Sequence, residues 1–298
     1  MSMRHCHWIL IGIVLCAAAH LAGLPMPARM RMKDGRVFDC TVLERTQDGV
    51  VIERRFGVAL ARETHRAEQI ESMQFPVPGV LTSINVRALS GKEELRNAVR
   101  EVEAEYTAWQ QFADIKGNYA LPLLKLYAEL LERRTSYATA QRMYRRLLQS
   151  DIDAPTRLMA QQRLAICAFW SSDDGAALPL LTNALAAAQD DAGRAELIYY
   201  IGVSHAQRGE AVPALFALLK NSVFYSMHGT WEPRSLTAAL GPFAALDRRD
   251  EYLHTCATLT QRFAGTVWDK TARRQLAALD AGTNLSSLSS LTMYLEDK

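Results

Sequence analysis

The sequence predicts a mainly α protein, an α-α solenoid of stacked helical hairpins preceded by a small β-barrel-like domain. Three observations predict it. Residues 28–78 hold short runs of Val, Ile and Phe broken by Asp-Gly pairs. From Lys92 onward Ala, Leu, Glu, Arg and Gln dominate, all strong helix formers. Within that stretch small residues return at a fixed stride of 37 (128 to 165, 165 to 202). The chain has 298 residues, 49% hydrophobic and 22% charged, which are ordinary globular values. They exclude a disordered tail, a collagen-like fibre and a polytopic membrane protein. With 34 Lys+Arg against 32 Asp+Glu, the net charge of +2 gives no sequence-wide basic surface for nucleic acid. Five cysteines are too few for a disulfide scaffold.

Residues 1–19 read as a secretory signal peptide. Arg4 sits in a short n-region, an apolar run follows from Trp8, and Ala17 and Ala19 form an A-x-A cleavage pattern. The run falls short of the roughly 20 apolar residues of a spanning helix. Residues 8–24 as an uncleaved inner-membrane anchor are the alternative, and with it membrane association. Cys16 follows Leu15, whereas a lipobox needs a small residue there. Export places the protein in the periplasm or cell envelope. Cleavage removes Arg4, Cys6 and Cys16, which takes the net charge from +2 to +1 and leaves Cys40, Cys167 and Cys256. Three is an odd number for an oxidising compartment, so these read as small buried hydrophobes.

In residues 28–78, Phe38, Cys40 and Val42 alternate with Asp39, Thr41 and Leu43, as in a half-buried strand. Val50 and Ile52, then Val58 and Leu60, continue the period of two, and Ile70 with Met73 or Phe75 closes the module. Lys33-Asp34-Gly35, Gln47-Asp48-Gly49 and Gly57 mark turns, with glycine expected where φ is positive. About five short strands of this length bury one face by curling into a small barrel. The Met32–Phe38 start, built around Asp34-Gly35-Arg36, and the Asp48–Ile52 hairpin resemble the SH3-like or Sm-like barrels that open many exported bacterial repeat proteins. The resemblance implies a structural cap or docking module. Sm-like barrels often bind RNA, but Arg29, Arg31, Lys33 and Arg36 are countered here by Asp34, Asp39, Glu44 and Asp48, so no nucleic-acid partner is expected. Pro76, Pro78 and Gly79 end the module.

Residues 92–281 read as the helical array. Residues 92–115 form an amphipathic capping helix. Turn signals recur at Gly117-Asn118, Asp151 to Pro155, Asp173 to Gly175, Asp190 to Gly193, and Gly209. Ala128, Ala165 and Gly202 stand in three first helices, and Ala140, Ala177 and Ala214 in three second helices, at the same stride. Tyr144, Leu181 and Leu218 follow four residues later, then Leu147, Ala184 and Asn221. Helices approach closely only where a small residue sits at the crossing, with a large apolar one filling the groove beside it. A two-helix unit buries its face only by stacking on neighbours.

This pattern resembles the tetratricopeptide repeat, best in the copy with Gly202, Gly209, Ala214 and Leu218. The resemblance implies a right-handed α-α solenoid. The stride exceeds the family's usual period of about 34, the early Trp is missing, and Pro179 and Pro213 fall in second helices, Pro179 deep enough to threaten a kink. After Tyr225 the register slips. Ser226 to Pro233 read as an inserted loop, Gly241-Pro242 as a break in the next first helix, and Asp250 to Phe263 as its partner. Phe263 to Leu279 resemble the terminal helix of exported repeat proteins that assemble envelope complexes. Residues 282–298 form a tail expected to fray from Ser286 to Ser290.

The sequence carries no H-E-x-x-H, G-x-S-x-G, Walker A or G-x-G-x-x-G motif and no C-x-x-C. His254 and Cys256 lie about 200° apart on a helix, and Cys167 is more than two repeats away, so no metal site, cofactor or catalytic residue is expected. His205 reads as a surface or half-buried histidine, and Glu101, Glu103 and Glu105 as a solvated helix face. The repeat resemblance places first helices along a concave groove. By register, its candidates are Lys125, Glu129, Gln162, Ile166, Phe169, Tyr199 and Val203. Aromatic and polar groups together suit a peptide or helix of another protein. The expected function is therefore an exported, non-enzymatic scaffold or adaptor in an envelope assembly or secretion complex. The alternatives are an envelope hydrolase or peptidoglycan-active enzyme, and a self-associating structural protein.

Overall fold

The computed structural model describes residues 25–171, 174–227 and 229–288. The signal segment 1–19, the anchor alternative 8–24 and tail residues 289–298 lie outside the described residues. The chain divides after Ser150 into two compact units, each taken by itself below. Both follow from the predicted class: the protein is mainly helical, with a small antiparallel sheet at the start.

The first unit opens with five strands, β1 Met26–Met32, β2 Val37–Arg45, β3 Val50–Phe56, β4 Ala59–His65 and β5 Ile70–Gln74. They form one antiparallel sheet in the order β4-β3-β2-β1-β5. Period two holds where expected: Phe38, Cys40 and Val42 are buried, joined by Ala28, Met30 and Met32 of β1. Gly35 and Gly57 take φ of +89° and +62°, which only glycine adopts freely in such tight turns. Gly49 departs from expectation. Its φ is not positive; a Cβ there would stand 2.2 Å from the His65 carbonyl oxygen, so strand approach demands the glycine.

Two further expectations are corrected. The sheet is open rather than a closed barrel, because β4 and β5 stand at opposite ends of the strand order. Register shifts between Val42 and Glu44 and between Arg31 and Met32 introduce irregularities of the kind that bend strands. Val58 and Leu60 do not continue the buried face but are exposed. Val58 stands in the turn between β3 and β4, and Leu60 lies on β4, the edge strand with a neighbour on one side only.

Helical segments follow the sheet. These are α1 Gly79–Ser83, α2 Lys92–Trp109, a 3-10 turn Gln110–Phe112, α3 Ala120–Arg133 and α4 Tyr137–Leu148. The Met73 amide donates to the Lys116 carbonyl at 2.8 Å. Phe75 packs edge-on against Trp109, centroids 5.0 Å apart, and lies 5.4 Å from Phe112. Arg45 reaches from β2 to the Asp114 carboxylate at 2.7 Å. Sheet and first helices therefore share one interior. On the Glu101–Glu105 face, Glu101 and Glu103 are exposed as expected and Glu105 is half-buried. Glu103 accepts from the Tyr127 hydroxyl at 2.8 Å and Glu105 from the Trp109 indole at 3.2 Å.

The second unit is α5 Ala154–Trp170, α6 Asp174–Ala187, α7 Asp191–Gln207, α8 Ala211–Phe224, α9 Trp231–Ala245, α10 Arg249–Arg262 and α11 Val267–Asp280, then a 3-10 turn Leu285–Leu288. Asp153, Asp190 and Thr266 cap the starts of α5, α7 and α11 by accepting from Thr156, Gly193 and Asp269 amides. Consecutive helices pack on one another around a single apolar cluster from Ala165 to Leu288.

The 37-residue stride is a packing rule in both units. Ala128, Ala140, Ala165, Ala177 and Ala214 are buried, and Tyr144, Leu181 and Leu218 are fully so. A Cβ on Gly202 would lie 2.5 Å from Leu218 Cγ. Here a first helix and its second helix touch at the small residue that the register singled out. Gly241-Pro242, expected to break a helix, instead lie within α9, which continues to Ala245. That helix is buried along almost its whole length, and tertiary packing outweighs the lost backbone bond. The expected loop is also shorter, since Trp231, Glu232 and Pro233 already form the first turn of α9. α6 runs through Pro179. Of the tail expected to fray, residues up to 288 are ordered into the core, with Leu285 and Leu288 buried.

Candidate protein-binding surface

Of the groove candidates, Lys125 and Glu129 are half-buried on α3 of the first unit, while the others belong to the second. Phe169 and Val203 are 6% and 2% exposed, and Ile166 is buried with them, so these three serve the core and present no surface. Gln162 and Tyr199 are half-buried and sit in one connected set of side chains. Gln162 Nε2 donates to Glu196 Oε2 at 2.8 Å, and Arg163 Nη1 pairs with Glu196 Oε1 at 3.1 Å. One carboxylate thus ties α5 to α7.

From that tie an aromatic row crosses three first helices. At the end of α5, Phe169 and Trp170 stand 5.1 Å apart. Tyr200 of α7 lies 5.1 Å from Phe169, and the Trp170 indole N–H donates to its hydroxyl at 3.4 Å. Tyr199 follows at 5.2 Å from Tyr200, and Trp231 at the start of α9 lies 5.5 Å from Tyr199. The Arg234 guanidinium covers the Trp231 ring at 4.9 Å. Most ring pairs are edge-on or tilted, the arrangement the aromatic quadrupole favours. Phe169 and Tyr200 are buried and anchor the row, and burial pushes the Tyr200 phenol well above its usual range. Trp170, Tyr199 and Trp231 keep an edge in solvent. Amphipathic rings held by neighbours lose little freedom on binding, which suits them to recognise another protein.

Tyr199 and Gln162 were sequence candidates for this surface; Trp170 and Trp231 were not. Trp170 is next to Phe169, and the 37-residue register gave no reason to prefer it. Trp231 lay in the stretch taken for a loop.

His205 and the cysteines have structural places. His205 Nδ1 lies 2.6 Å from Glu210 Oε2, closing the turn between α7 and α8. Cys40, Cys167 and Cys256 are buried free thiols. Burial pushes the Cys40 thiol up to about 11 and that of Cys256 to about 12, far from the reactive thiolate range. His254 is exposed while Cys256 points into the core, as their helical spacing requires. Compared with known proteins, the chain matches no family model and no curated protein.

Proposed function

We propose that the protein is a non-enzymatic scaffold that binds other proteins along its first helices, as an adaptor in a cell-envelope assembly. The carrying observation is the half-exposed aromatic row from Trp170 through Tyr199 to Trp231, braced by the Gln162–Glu196–Arg163 tie. The reading treats the helical hairpins as a right-handed, tetratricopeptide-like solenoid. Its support is the buried small residue at each 37-residue step and the Gly202–Leu218 approach. It treats the five-stranded sheet as an SH3- or Sm-like docking module, in keeping with its antiparallel order and the 3-10 turn Ala67–Gln69 before β5. Export to the periplasm or envelope rests on the signal-like layout of residues 1–19.

Crosslinking and capture in the native cell tests the reading. Proteins captured specifically by the wild type are expected to be lost with the pair Tyr199→Ala and Trp231→Ala, while thermal melts show a folded chain. Undiminished capture by the folded double variant overturns it. Intact mass of the mature protein reads the cleavage directly.

A further inference from the structure

A second concave feature lies between second helices. α8, α9 and α10 enclose a groove of about 720 Å³. Its two walls differ in chemistry. The α8 wall is mainly apolar: Leu219 lines the groove with Ser222 beside it, and Val212, Phe216 and Val223 continue the Leu219 stripe beyond the lining, exposed at 64%, 71% and 69%, with Lys220 Nζ 4.5 Å over the Phe216 ring. The floor adds Leu236 and Phe243 of α9. The α10 wall is polar and acidic. Among the charged residues lining the groove, the carboxylates Glu232, Asp250 and Glu251 outnumber the one arginine, Arg262.

Pairing narrows that imbalance to one carboxylate. Glu232 and Arg262 neutralise one another through two contacts, 2.6 and 2.8 Å. Glu251 pairs with Arg248. Asp250 is exposed and has no ion-pair partner among the described residues. The groove therefore offers an apolar strip beside an unneutralised carboxylate.

We propose that this groove receives an amphipathic helix of another protein, its apolar face on Phe216, Leu219 and Val223 and a lysine or arginine at Asp250. Three features select that occupant. The stripe from Val212 to Val223 spans about three helical turns, roughly 16 Å at 1.5 Å per residue. Its spacing forms a ridge that a second helix's groove accepts. Both walls are helices whose backbone groups are already bonded internally, so an extended strand would find no ladder to join. The exposed Asp250 carboxylate selects a cation on the flank that meets α10 over an anion there. The site shares α9 with the aromatic row but takes Glu232, Leu236 and Phe243 from it rather than Trp231.

The test uses the full chain and a fluorescent peptide of about 18 residues, long enough for helix formation on binding, made of leucine and lysine at helical spacing. Two companions replace lysine by glutamate or shuffle the leucines off one face. Anisotropy titrations are expected to show binding of the leucine–lysine peptide alone. Phe216→Glu and Asp250→Lys should each weaken it about tenfold or more. Phe216 is exposed, so its variant should melt unchanged; Asp250 stands in the first turn of α10, where lysine opposes the helix dipole and should lower the midpoint slightly while leaving the chain folded, and Tyr199→Ala should leave binding intact. Equal binding of the glutamate or shuffled peptide, or unchanged affinity in both variants, overturns the proposal. So does a concentration-dependent dimer that Phe216→Glu dissolves, since that gives the face to a second copy of this chain.

Discussion

At Gly202 two opposing effects can be weighed on one atom. Alanine in a helix interior ordinarily gains about 1 kcal/mol over glycine. The new Cβ would lie 2.5 Å from Leu218 Cγ, 2.7 Å from its Cδ2 and 3.2 Å from its backbone nitrogen. Leu218 is fully buried and has nowhere to turn. Overpacking of this kind costs about 1–3 kcal/mol, which outweighs the propensity gain. Gly202→Ala is therefore expected to lower stability in denaturant melts, and Gly202→Val to lower it further; a more stable Gly202→Ala would contradict the crossing. Asn221 shows the opposite use of a register position. Where the other copies place Leu147 and Ala184, its Nδ2 donates to the Ala195 carbonyl at 3.0 Å and to Ser235 Oγ at 2.8 Å. One buried amide thereby clips α8 to both neighbouring helices. The repeat pattern identified the position as buried but not as polar, because the bond partners come from two other helices.

At the scale of elements, one turn closes hairpin after hairpin. After α3, α7, α9 and α11 stand Thr135, Gly209, Asp247 and Gly282, with φ of +60°, +75°, +53° and +88°. The next amide in each case reaches back five residues, Ser136 to Leu131, Glu210 to His205, Arg248 to Phe243 and Thr283 to Ala278. This is the Schellman arrangement, and it satisfies carbonyls that a helix end leaves open. Thr135 and Gly209 are two strides apart, so the turn shares the repeat's register. Threonine is branched at Cβ and poorly suited to positive φ. Thr135→Gly is expected to raise stability by about 1 kcal/mol, read as a higher melting midpoint; a loss would show that the threonine's own bonds matter more. The start of α11 gives a pH prediction. Asp269 accepts from the Gly265 amide and pairs with Arg273, and these hold its carboxyl below the ordinary value of 3.8. A depressed folded-state pKa contributes stability above the unfolded value and loses it as pH falls through the folded one. Asp269→Asn should therefore be less stable at neutral pH and show a shallower loss below 3.8 in acid titrations of unfolding.

At the scale of the whole molecule, each unit is held by an interior to which neighbouring elements contribute in turn. In the first, β5 and β2 are tied to the α2–α3 segment through Phe75, Met73 and Arg45. In the second, one apolar cluster runs from α5 to the turn at Leu288. The sequence by itself determined the mainly helical class, the strands β2, β3 and β5, and the small residues at helix crossings. These rest on local periodicity and residue volume, which a chain carries in its own order. The tertiary structure alone decided that the sheet stays open, that α9 runs through Pro242, and that Phe169 and Val203 face inward. It also decided that Trp170 and Trp231 join Tyr199. Each of these depends on which remote surface covers a residue. A strand edge closes only if a partner reaches it, and a proline is tolerated only if surrounding packing outweighs the lost bond. An aromatic side chain becomes surface or core according to neighbours 30 or more residues away in sequence, as the Trp170–Tyr200 hydrogen bond illustrates.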